Sequence, residues 1–203
     1  MRHYLAIFLC ISIPFTAITG AQTANSSQVT QTTWNGLHFG STPDEVRQFL
    51  AKQGMELQPA TDCSEAANCR SQRVVSPDWK LQAPASQSPL RFKVRLFFSS
   101  DDHLELIHLL LLGHEHSDDY DAHTAASSIK EQMIGRYGAP GTQSGVCDTS
   151  AFSRDAEQLE CNMIWRADGQ NVKLSWLYFG NTMGGALSKL TVEINYTQLQ
   201  SGL

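Results

Sequence analysis

Apolar side chains recur along the chain in two rhythms, and the switches between them mark the elements. Leu90, Phe92, Val94, Leu96 and Phe98 alternate with Arg91, Lys93 and Arg95, the period-two pattern of a strand with one buried face. Ser99-Ser100-Asp101-Asp102 turns the chain, and Leu104 to Leu112 returns as a second strand of a hairpin. Later, Met163-Ile164-Trp165 runs into Asp168-Gly169, a strong hairpin turn, and Val172, Leu174, Trp176 and Tyr178 alternate with Lys173 and Ser175. Leu190, Val192, Ile194 and Tyr196 give a last alternating run. Leu37 and Phe39 suggest a short strand, as do Arg73-Val74-Val75. The segments 83–89, 141–145 and 180–185 read as loops and connections.

Two stretches switch to the helical period. Thr42 is an N-cap, Pro43 sits at the first helical position and Glu45 completes a capping box. Val46, Phe49 and Leu50 then share one face, and Gly54 ends the helix. The second helix is capped by Ser117 or Asp118 and carries an inner stripe of Ala122, Ala125, Ala126, Ile129, Met133 and Tyr137. Gly138 stops it and Pro140 prevents its resumption. Strands with one polar face belong to an antiparallel sheet covered on one side. The expectation is therefore an α+β fold of two layers, with two helices packed on one face of an antiparallel sheet. Helix, cysteine pair and strands follow one another twice, a tandem pseudo-repeat with halves at 34–113 and 114–203.

The N-terminus changes the picture of where this domain works. Met1-Arg2-His3, an apolar run from Tyr4 to Ile18 and small residues up to Ala21 form a secretory signal peptide over 1–21. Residues 22–33 are a flexible polar leader, and 34–203 a single domain. The expected location is periplasmic or extracellular. No later segment is long and apolar enough to be a transmembrane helix. The 203 residues carry 15 basic and 20 acidic side chains, net −5. That balance argues against nucleic acid as the main partner. Cys10 leaves with the signal, so Cys63, Cys69, Cys147 and Cys161 remain, an even count that reads as two disulfides. Three pairings are open. The local ones, Cys63 with Cys69 and Cys147 with Cys161, are favoured because short loops close at low entropic cost.

Phe39-Gly40-Ser41-Thr42-Pro43-Asp44-Glu45-Val46, with its helix ending at Gly54, resembles the F-G-[MS]-[ST]-x-x-[EQ]-V opening of small exported bacterial proteins of the beta-lactamase inhibitor protein and BamE type. The layout of two halves, each with a short disulfide after its helix, is more similar to the former. The resemblance implies a helix-on-sheet fold used to bind another protein. In the second half Asp119-Tyr120-Asp121-Ala122 departs from that opening, and no binding residue is carried across.

Candidate chemistry is sparse, and neither a cofactor nor a catalytic residue is implied. His114 and His116, two apart on extended chain, point the same way, and His123 with Asp118 or Asp121 would complete a metal site, the alternative function being a metal-binding protein or metal-dependent hydrolase. The competing reading is a solvated strand-to-helix loop whose acids favour the helix N-terminus. Ser144 lacks the nucleophile-elbow spacing, and Gly180 to Gly185 lacks the dinucleotide spacing. The surface with most to offer is the uncovered sheet face. Arg91, Lys93 and Arg95 are expected there beside Phe97, Ile107, Leu109, Leu111 and Leu177. Basic residues among apolar ones suit the docking of a protein or envelope component. The structural alternative is that a loop, a helix or a second protomer covers the same face.

Overall fold

A computed structural model describes residues 34–59, 71–82, 89–114, 119–153, 158–167, 169–180 and 189–198. Residues 1–33, where a signal peptide and polar leader are expected, Cys63, Cys69, His116, Asp118 and the expected 180–185 connection beyond Gly180 lie outside the described residues. The elements in chain order are α1 (Pro43–Ala51), β1 (Glu56–Leu57), β2 (Ser71–Leu81), β3 (Leu90–Phe98), β4 (Leu104–Leu112), α2 (Asp119–Tyr137), β5 (Thr142–Gly145), β6 (Leu159–Ala167), β7 (Gln170–Phe179) and β8 (Lys189–Gln198). The fold is α+β. All eight strands join one open antiparallel sheet in the order β1-β2-β3-β4-β8-β7-β6-β5. One helix and a four-strand meander thus occur twice, and the last strand of each meander pairs with the other at the middle of the sheet.

The helix ends follow from local chemistry. Thr42 accepts from the Glu45 N–H while Glu45 accepts from the Thr42 N–H, so two otherwise orphaned donors are satisfied. At the other end the Gly54 N–H donates to Ala51 and the Met55 N–H to Leu50, with Gly54 in the left-handed region at φ 70°. The segment before α1 is not a strand. Trp34–Gly36 is a 3₁₀ turn, and only His38 makes an isolated bridge. Trp34 and Leu37 lie three residues apart, so the turn drops both into the core. The Gly40 N–H to Leu104 carbonyl and Leu104 N–H to Ser41 carbonyl bonds fasten this segment to β4.

A single core lies between the helices and one face of the sheet. Val46 and Leu50 of α1 and Ala122, Ala125, Ala126, Ile129 and Met133 of α2 meet the inward residues of every long strand. Alternate positions of β3, β7 and β8 are buried along their length, as one-sided covering requires. Residues 142–145, expected as a loop, form β5, which pairs with β6 from Thr142↔Ile164 to Gly145↔Cys161. All four are exposed, so this edge strand has no hydrophobic alternation to announce it. Gly145 sits at φ 78°, and a Cβ there would come within 2.2 Å of the Glu160 carbonyl. Cys147 bonds Cys161 immediately beyond.

Candidate functional site

Direct cross-strand partners point to the same side of a sheet, so the register decides which residues share the open face. Arg91, Lys93, Arg95 and Phe97 on β3 pair with Leu112, Leu110, His108 and Leu106 on β4. The same side continues through Glu193 and Asn195 on β8, Lys173, Ser175 and Leu177 on β7, and Glu160, Asn162 and Ile164 on β6. No helix packs on this side among the described residues, and most of its side chains are half-buried only by their neighbours.

The three expected cations are therefore together, but three expected apolar companions are not. Ile107 and Leu109 are 0% and 1% exposed and face the helices, as does Leu111. The open-face leucines are Leu106, Leu110 and Leu112, one position out of step. The strand is apolar on both faces, so alternation alone does not say which set turns inward. The signal that could have settled it is His108, the sole polar side chain in the 106–112 run, which belongs on the wetter face.

Electrostatics divide the face. Arg91 is paired with Asp78 of β2, whereas neither Lys93 nor Arg95 has an ion-pair partner among the described residues. His108 lies at the centre, its Nε2 3.6 Å from a Glu193 carboxylate oxygen and its side chain 12% exposed. Burial holds its pKa below the usual imidazole value; the Glu193 charge opposes that shift and Arg95 adds to it. Beyond Glu193, a shallow depression of about 260 Å³ opens over β6, β7 and β8. Leu177 lines it with Glu160, Asn162, Ser175 and Thr191.

Of the histidines in the strand-to-helix segment, His114 and His123 are described and His116 lies outside the described residues. The His114 carbonyl accepts from the Leu190 N–H at 3.0 Å. His123 lies 2.8 Å through Nδ1 from the Thr149 carbonyl, which can only accept, so Nδ1 carries the proton. With the Ser127–Thr149 hydroxyl bond, this ties α2 to the 3₁₀ turn Thr149–Ala151. Asp121 is exposed on the first turn of α2. Among the described residues no three His, Cys, Asp or Glu side chains gather for a metal. Ser144 lies on β5 and Gly180 just after β7. His103 is bonded through Nδ1 to the Gly40 carbonyl and serves the α1 entry. No helix is long and apolar enough to cross a membrane among the described residues.

The chain matches no protein-family model, no curated protein and no solved structure.

Proposed function

We propose that the protein is an exported, non-catalytic module that binds another protein or an envelope component through the open face of its sheet. The carrying observation is that face itself: Phe97, Leu106, Leu110, Leu112 and Leu177 share it with Arg91, Lys93 and Arg95, and no helix among the described residues packs over them. Partly buried aliphatic and aromatic side chains rimmed by charge are the composition of a docking surface. The signal-like N-terminus, the Cys147–Cys161 bond and the resemblance of the 39–54 segment to small exported binding proteins support the same reading.

The test begins by recovering partners of the protein from its native extracellular or periplasmic medium and mapping each by hydrogen exchange. Protection on β3, β4 and β8, lost in Lys93→Ala/Arg95→Ala at unchanged thermal stability, is the expected result. A footprint confined to α1 and α2 rejects the proposal.

A further inference from the structure

We infer that the partner presents an acidic polypeptide segment, and that it docks on the β3–β4 side of the open face; the inference rests on the binding role proposed for that face. Within β3, Arg91, Lys93 and Arg95 occupy alternate positions, so their Cα atoms lie about 7 Å apart along the strand. The stripe is built against the trend of the whole chain, whose net charge is −5. Like charges at this spacing repel one another, and Asp78 relieves Arg91 alone. A partner's carboxylates would relieve Lys93 and Arg95, while Leu106, Leu110 and Leu112 supply the adjoining apolar contact.

The internal repeat supplies the control that the fold does not require these cations. Leu109 and Ile194 pair across the middle of the sheet, and they pair outward with Val94 and Leu174. The positions equivalent to Arg91, Lys93 and Arg95 are therefore Asn171, Lys173 and Ser175. One strand position, two settings: three cations on β3 and one on β7.

Other occupants fit less well. A second copy stacked face to face about an axis along the strands sets Arg95 against Lys173, because Arg95, His108, Asn195 and Lys173 form one cross-strand row. An axis across the strands sets Arg95 against Lys93. Nucleic acid would meet Glu193 and Glu160 next to a stripe too short for extensive phosphate neutralisation.

Titration of isotope-labelled protein with poly-L-glutamate at low ionic strength reads this directly. Amide shifts should concentrate on β3 and β4. Lys93→Glu/Arg95→Glu should weaken binding at least tenfold, and the matched control Lys173→Glu/Arg166→Glu should change it less than threefold. Thermal melts check that both variants fold. No binding, shifts elsewhere or equal losses in the two variants would overturn the inference, as would equally tight binding of a single-stranded oligonucleotide. A native partner that protects β3 and β4 yet is indifferent to charge reversal would overturn the acidic partner while leaving the docking face standing. A partner footprint on the helices removes both.

Discussion

The two halves of the sheet solve one packing problem with opposite distributions of bulk. In the first, α1 spans nine residues and inserts Val46 and Leu50 fully, over strands lined by Leu90, Phe92, Val94, Leu96 and Phe98. In the second, the 19-residue α2 offers mostly small side chains, Ala122, Ala125 and Ala126 with Ile129, to a sheet bearing Trp165, Trp176, Tyr178 and Tyr196. Small residues let α2 approach closely, and the large rings fill the space that remains.

The second half also carries fastenings around the connection between α2 and β6. Lys130 Nζ donates to the Cys147 carbonyl at 2.8 Å, and Trp165 Nε1 donates to the Gly138 carbonyl at 2.8 Å. Phe152 stacks on Tyr178 with ring centroids 4.2 Å apart. The Tyr196 hydroxyl is buried near Tyr137, and that burial raises its pKa far above the usual phenol value. These contacts hold the connection between α2 and β6 against the sheet. In the first half, α1 is instead secured by its capping box and by the backbone bonds joining Gly40 and Ser41 to Leu104.

This contrast can be broken at graded cost. Leu50→Ala removes one of the two fully buried anchors of α1, and chemical denaturation should show a loss of about 2–5 kcal/mol. A truncation costing well under 1 kcal/mol would show that α1 does not anchor its half. Replacing Cys147 and Cys161 together by Ser opens a loop with a sequence separation of 14. It should cost about 3 kcal/mol on the chain-entropy estimate, with the fastest added hydrogen exchange in β5. Loss of protection spread evenly over both halves would contradict a local tether. Ala126→Leu forces extra volume under α2 and should cost about 1–3 kcal/mol. A stabilised variant would refute the close approach of α2 to the sheet.

The smallest effect lies on the seam between the halves. His108 has a lowered pKa in the folded protein, so the unfolded chain binds more protons once the pH drops below about 6.5. Its contribution to stability is intact above that value and declines as pH falls through the folded pKa. His108→Gln should flatten this part of the pH–stability curve. Glu193→Gln should lower the folded pKa further, because it removes the opposing charge, and Arg95→Gln should raise it. An imidazole titration by NMR checks all three directions. An unchanged His108 titration in both charge variants would separate it electrically from the face.

Some of this was legible along the chain because its cause is local. Thr42, Pro43 and Glu45 specify the start of α1 through bonds made within four residues, and the alternation of β3, β7 and β8 needs only that one face be buried. From those came two helices on one side of an antiparallel sheet. Where burial gave no contrast, the pattern carried no information. β5 is exposed throughout, the edge strand β1 has two residues, and β2 continues past Pro77 across an irregular register between Val75 and Trp79.

The candidate face divides along the same line. Amino-acid order alone placed Arg91, Lys93 and Arg95 on one side of a strand, since a period of two is a property of the backbone. Which leucines join them, and that His108, Glu193 and the Leu177 depression lie on the same side, depended on cross-strand register. Register is set by hydrogen bonds between segments distant in the chain, such as β4 and β8 where Leu110 partners Glu193. Apolar alternation does not encode it when both faces of β4 are apolar; His108 is the one local cue to the wetter face, and the assembled sheet decided which strands and residues share it.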